Sequence, residues 1–229
     1  MWKLADELLS KLGECCELKR RTDFSDIETI RGLDGGEVGS FRAFGGGKIE
    51  KVAIARLSLG PTAEYHYIRV IPPPRYRTPQ FVYEGMTIGR STSFSVDLYP
   101  AVDLSVHPNY FGRYHHLLDP VYARACEADG FSWRPSRIAW VRAIASPYFF
   151  MSTTEDQAAA HDLASAYLTA WLEFQASEEP VGPDLEASIR RRRDSVVDGL
   201  LAWDRDGERL VQVMGKPLFT RVFDAMLRA

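Results

Sequence analysis

QFVYEGMTIGRSTSFSVDLYP, residues 80–100, carries the alternation on which the fold turns. Apolar and polar side chains alternate through Gln80–Ile88 and again through residues 92–99, the period of two that a strand imposes. Gly89-Arg90-Ser91 divides the two runs, and so short a connection brings neighbouring strands together antiparallel. Pro100 ends the second run because it has no amide hydrogen to donate. Upstream, the same period runs through residues 64–71 and 51–59. Pro72-Pro73-Pro74 and Gly60-Pro61 mark the breaks. Four consecutive strands therefore form the centre of a mostly antiparallel sheet.

Outside this block the period changes. Residues 2–20 place Trp2, Leu4, Ala5, Leu8, Leu9 and Leu12 on one side of a helix, which Gly13 interrupts. Residues 21–48 hold polar and glycine-rich turns around short strand candidates. Gly45-Gly46-Gly47 precedes a strand and not a helix, so it reads as a hairpin loop and not as a phosphate cradle. A helical region is predicted at 108–128 and a further strand at 137–145, ended by Ser146-Pro147. Three amphipathic helices follow, at 154–176, 184–203 and about 217–228. No internal repeat or low-complexity segment interrupts the chain. Strands in the middle and helices at both ends predict one domain, 1–229: a three-layer α/β/α sandwich with a central, mostly antiparallel β-sheet.

Composition excludes several functions. The 229 residues carry a net charge of −3 and are 45% hydrophobic, which argues against a general nucleic-acid binder. No apolar run approaches the roughly 20 residues that span a bilayer. The first residues are amphipathic and mixed in charge, unlike a signal or transit peptide, so the expected compartment is the cytoplasm. Cys15 and Cys16 are adjacent and Cys126 stands alone. No disulfide framework or CxxC metal motif is present, and two adjacent cysteines read as small hydrophobes. GxGxxG, GxSxG and Walker sequences are all missing, so nothing points to nicotinamide, a Rossmann flavin, serine hydrolysis or ATP. His66, His115 and His116 lack zinc spacing. For His66, a satisfied core histidine competes with a pocket hydrogen-bond donor.

Charge inside the central strands needs a reason. Glu84 shares a strand face with Val82, Met86 and Ile88. On a buried face its carboxyl would be pushed up, which makes a proton donor. A pairing with Arg69 or Arg142 is the other reading. Asp97 shares a face with Ser93 and Ser95, and either caps a turn before Pro100 or serves as an acid. Residues 190–193 form a basic run on a helix, either a solvated face or a docking patch.

Residues 78–84, TPQFVYE, resemble the stretch APNFVVEL of the red chlorophyll catabolite reductases, relatives of the ferredoxin-dependent bilin reductases. Residues 96–110, VDLYPAVDLSVHPNY, are similar to that family's LDLPHRKDLVLNPDYL. Residues 141–147, VRAIASP, match VRSAFSP, and 192–198, RRDSVVD, resemble RRKSIED. The matches keep their order over about 78–228. Tyr83 and Gly85 depart from the family's Val and Leu, and Ala101-Val102 replaces a basic pair.

This resemblance implies an oxidoreductase acting on CH–CH bonds of an open-chain tetrapyrrole, with no bound metal or organic cofactor. Reduced ferredoxin is the implied partner and electron donor, and a homodimer is the assembly carried over. Glu84 and Asp97 match acids that give protons to the substrate, and Asp198 matches an acid on the C-terminal helices. Arg142, His66, Arg190 and Arg193 are candidates to pair with propionates. Phe81, Tyr83, Phe94 and Tyr148 are candidates to pack on pyrrole rings. Two alternatives stay open: the same fold acting on a smaller biosynthetic substrate, and a pigment- or haem-binding carrier without turnover.

Overall fold

A computed structural model describes residues 3–203 and 207–229. Its centre is a sheet of nine strands. These are β1 (Lys19–Arg20), β2 (Thr29–Arg31), β3 (Glu37–Gly46), β4 (Ile49–Ser58), β5 (Ala63–Ile71), β6 (Gln80–Ile88), β7 (Ser91–Tyr99), β8 (Ser132–Trp133) and β9 (Phe150–Thr154). The order across the sheet is β1-β3-β4-β5-β6-β7-β9-β8, with β2 also on β3. Every pairing is antiparallel. The β6–β7 register runs without a shift from Gln80 opposite Tyr99 to Ile88 opposite Ser91. Only Gly89 and Arg90 then remain to turn the chain. Gly89 has φ 60°, the left-handed conformation that so tight a hairpin needs.

Period two sorts the strand side chains onto two faces. Ile54, Ile68, Phe81, Tyr83, Phe94 and Val96 point to one side and join a core with α1 (Lys3–Cys15), α2 (Pro108–Glu127) and α4 (Gln157–Ala176). Asp156 starts α4 by accepting from the amides of Ala158 and Ala159, which satisfies two donors that a helix start leaves over. Helix α4 is apolar nearly all round because the sheet, α1 and α2 all press on it. Its Trp171 is fully buried, with Nε1 donating to the Pro79 carbonyl at 2.7 Å.

Ala55, Leu57, Tyr65, Tyr67 and Val82 point to the other side. There they meet α5 (Pro183–Trp203), α6 (Glu208–Met214) and α7 (Lys216–Leu227). The short helix α3 (Ala139–Ile144) packs on α5, where Trp140 Nε1 donates to the Val196 carbonyl. The architecture is the expected three-layer α/β/α sandwich. We name its two sides the α4 face and the α5 face.

Local differences from the sequence reading have physical causes. Residues 137–145 are not a strand: α3 fills them, because Val141 and Ile144, three apart, bury together. The strand lies beyond Ser146-Pro147, as β9. Glycines 39, 45 and 46 hid β3, ten residues long, and α6 was not anticipated. Gly46 and Gly47, both at positive φ, turn β3 into β4 as the hairpin reading required. Trp2 and the side chain of Cys15 lie outside the described residues. No helix among the described residues is long and apolar enough to cross a membrane.

Candidate active site

Parity places Glu84 and Asp97 on the α5 face. Glu84 stands opposite Ser95 across the β6–β7 pair, and Asp97 is two residues further along β7. The two acids are therefore diagonal neighbours on adjacent strands, roughly 7–8 Å apart. Their surroundings differ. Asp97 is 1% exposed, whereas Glu84 is exposed. The expectation that Glu84 is withheld from water is corrected. Ser91, Ser93, Ser95 and Met86 around it are only partly buried, so this end of the α5 face is an open trough.

Asp97 holds its position through one neighbour. The Ser146 amide donates to Oδ2 at 2.8 Å and the Ser146 hydroxyl donates to Oδ1. Burial pushes the Asp97 carboxyl up to about 6, against the hydrogen bonds from Ser146 and the Leu98 amide, which favour the charged form. Beside the acids stands a buried polar network. Arg69, 0% exposed, donates Nε to Gln80 Oε1 at 2.8 Å and Nη1 to the Tyr67 hydroxyl at 3.3 Å. Its guanidinium lies 5.9 Å from the centre of the Tyr99 ring. Burial pushes the hydroxyls of Tyr67 and Tyr99 up, so both stay neutral donors.

The remaining sequence candidates scatter. Phe81, Tyr83, Phe94 and Tyr148 belong to the α4-face core, across the sheet from the two acids. Tyr83 and Phe94 stack with ring centres 6.3 Å apart, and the Tyr148 hydroxyl meets His115 Nδ1 at 2.9 Å. His66 also lies on the α4 side, 3.4 Å from Glu64, and burial pulls its imidazole down. It lines a cavity of about 20 Å³ with Ile54, Ile68 and Tyr83, room for about one water. These five residues therefore lie on the α4 side of the sheet, opposite Glu84 and Asp97.

Helix periodicity turns Asp198 outward. Positions 189, 193, 196 and 197 of α5 turn inward, while 194, 198 and 201 face water. Asp198 spends its carboxylate on Arg228 Nη2 at 2.8 Å. Arg190 is exposed and pairs with Glu186 one turn back. Arg142 is exposed and donates to the Ser136 carbonyl. Arg193 differs from both. Its side chain is 11% exposed, Nη1 donates to the Pro72 carbonyl, and Glu50 lies 3.7 Å away. Its Nε and Nη2 are buried with no hydrogen-bond partner, and burial pulls the guanidinium down to about 10.

Two residues went unnoticed in the sequence. In the sequence Ser146 marks a strand end and closes the stretch that resembles VRSAFSP, with no sign of a link to Asp97. Arg134 follows β8 and reaches Ser93 Oγ at 2.6 Å, on the same face as Glu84, with its Nε buried and unpartnered. No local pattern signals either one, because both act across gaps of about forty residues or more. For the strand residues Tyr67 and Arg69 a signal existed: Tyr65-His66-Tyr67-Ile68-Arg69 puts both on one face by parity alone. Among the described residues no cluster of three or more His, Cys, Asp or Glu could hold a metal ion.

No family model matches the chain, and no curated protein does. Among solved structures, phytochromobilin synthase from tomato, crystallised in complex with biliverdin, superposes with a TM-score of 0.84. The match covers 100% of this chain and 84% of the tomato chain, at 15% sequence identity. The chain has the fold of phytochromobilin synthase. At this identity the likeness is one of fold.

Proposed function

We propose that the protein is a reductase of an open-chain tetrapyrrole, taking electrons one at a time from reduced ferredoxin and protons from its own acids. The observation that carries this reading is the diagonal pair Glu84 and Asp97 on one face of a sheet whose fold, in phytochromobilin synthase, accompanies bound biliverdin. The net change is two electrons and two protons added across one double bond of the conjugated system. Each electron raises the basicity of the substrate, and a nearby acid answers it with a proton. A carboxyl near 6 suits that role, since at neutral pH it gives up its proton readily and takes another back. Exposed Glu84 is the second donor, refilled directly from water. Neutral Tyr67 and Tyr99 offer donors that orient pyrrole carbonyls or nitrogens. Arg134 and Arg193, each with unpartnered guanidinium nitrogens, suit carboxylate side groups of the substrate. Asp198, Arg142 and Arg190 take no part in this reading.

The test is spectroscopic. Purified protein is mixed with biliverdin, and separately with red chlorophyll catabolite, and absorbance is followed on adding reduced ferredoxin. Loss of the substrate band at a rate that Asp97→Asn lowers by about 10²-fold or more supports the reading. Spectra that stay unchanged with both pigments reject it, and tight binding without turnover replaces it with a carrier.

A further inference from the structure

Asp97 lies where β7 loses its partner. The pairing of β7 with β9 stops at Val96 opposite Phe150. The segment that leads into β9 crosses this gap, and it places Ser146, itself 5% exposed, against the carboxyl group. Both oxygens of Asp97 go to this one residue, one to its amide and one to its hydroxyl. The hydroxyl is not free to turn away. Its oxygen accepts from the Tyr148 amide at 3.0 Å, which leaves its single hydrogen for Asp97.

The other groups around Asp97 do not replace Ser146. Val82 on β6 is apolar and stands directly opposite. Tyr99 on β7, Tyr114 on α2 and Tyr167 on α4 lie near enough to feel the Asp97 charge, and burial keeps all three as neutral phenols. Tyr114 donates instead to the Leu98 carbonyl, and Tyr167 to the Tyr148 carbonyl. Arg69 on β5 approaches Tyr99, and Arg192 on α5 approaches Tyr114 while donating to the Pro100 carbonyl. Asp97 forms no ion pair among the described residues. Desolvation therefore favours the acid, and Ser146 supplies the side-chain hydrogen bond that favours the carboxylate.

We propose that Ser146 is a positioning residue for Asp97, fixing the orientation of its carboxyl group and restraining its uptake of a proton. The proton passes from Asp97 to the reduced substrate and is replaced from solvent. That use of the proton rests on the reductase reading; the restraint by Ser146 does not.

The experiment uses full-length protein carrying ¹³C-carboxyl aspartate, with the Asp97 resonance assigned by its loss in Asp97→Asn. The wild-type resonance is expected to titrate at about 6. Ser146→Ala removes a bond that favours the charged form, so the titration moves up by about 1–2 pH units. Ser146→Cys, nearly isosteric and a weaker donor, moves it up by less, and Ser146→Thr restores it. An unchanged or lowered titration in Ser146→Ala and Ser146→Cys overturns the proposal. Bilin reduction is then followed against pH. An acid donor loses activity above its pKa, so the alkaline limb of Ser146→Ala moves up by the same interval as the resonance. If the resonance moves and no form of the protein reduces a bilin, the reductase reading fails and the restraint stands. If reduction proceeds and the resonance does not move, the restraint fails and the reductase reading stands.

Discussion

Lys51 is wholly buried beneath α7, and its ammonium donates to the Ala225 carbonyl in the last turn at 2.8 Å. A helix end carries partial negative charge, which helps. Burial nevertheless pulls Lys51 down to about 7, Arg21 and Arg69 push the same way, and Asp224 and Asp23 resist. An unfolded lysine titrates at about 10.4. Between these values the unfolded chain binds more protons than the folded one, so this residue makes stability rise with pH from about 7 upward. In Lys51→Met that contribution disappears. Thermal melts from pH 7 to 9 should show wild-type Tm gaining on the variant, and a constant difference would refute the account. At this scale the sequence was half legible. Strand parity assigned Glu84 and Asp97 to one face. Depth was not legible, because whether a strand residue meets water depends on which helix, far along the chain, comes to cover it. Glu84 and Asp97 share a face and differ entirely in exposure for that reason.

Between elements, Glu178 just past α4 is a clamp. Its side chain is 2% exposed and takes Arg113 of α2 on one oxygen and Arg77, before β6, on the other. Arg113 also donates to the Glu173 and Phe174 carbonyls and to Ser177, closing the end of α4, and lies 4.5 Å over the Phe174 ring. These are the carbonyls that a helix end leaves without partners. Glu178→Ala leaves two arginines facing a buried gap. Because both are partly solvated, the expected cost is about 2–3 kcal/mol, read as a Tm lower by roughly 4–12 °C. A loss under about 2 °C would show that the carboxylate is dispensable. Elements with a strong period were read correctly in kind: the four central strands, α1, α2, α4, α5 and α7. Residues 137–145 were not, since Ile138, Trp140 and Ile144 fit period two while Ile138, Val141 and Ile144, three apart, fit a helix, and packing of Trp140 on α5 decides for the helix. Strand β3 was hidden because glycines 39, 45 and 46 sit where a side chain would collide with backbone. A Cβ at Gly39 would lie 2.2 Å from the Arg56 carbonyl oxygen. Gly39 and Gly45, which look like turn signals, are there for close packing, and only Gly46 also turns the chain.

Across the whole molecule the sheet divides two tasks. The α4 face is sealed by rings: Phe94, Phe131 and Phe150 contact one another, and Tyr110, Tyr114 and Phe174 form a second group. The α5 face carries the buried Lys51, Arg69 and Asp97, and it opens to water around Glu84 and Ser95. Under the proposed function, aromatic residues alone would place a flat pigment on the first face, whereas the buried charge and the partly buried serines of β7 favour the second. The two assignments separate experimentally. Phe94→Ala empties a packed site and should cost about 3–5 kcal/mol, a fall in Tm of roughly 6–20 °C, with biliverdin affinity of the surviving folded protein unchanged. Ser95→Trp puts bulk into the trough beside Glu84. Being on a partly solvated surface it should move stability by only about 0.5 kcal/mol, yet weaken biliverdin binding tenfold or more, followed by fluorescence quenching. The opposite pattern, affinity lost in Phe94→Ala and kept in Ser95→Trp, would put the pigment among the rings of the α4 face and remove Asp97 and Ser146 from the chemistry.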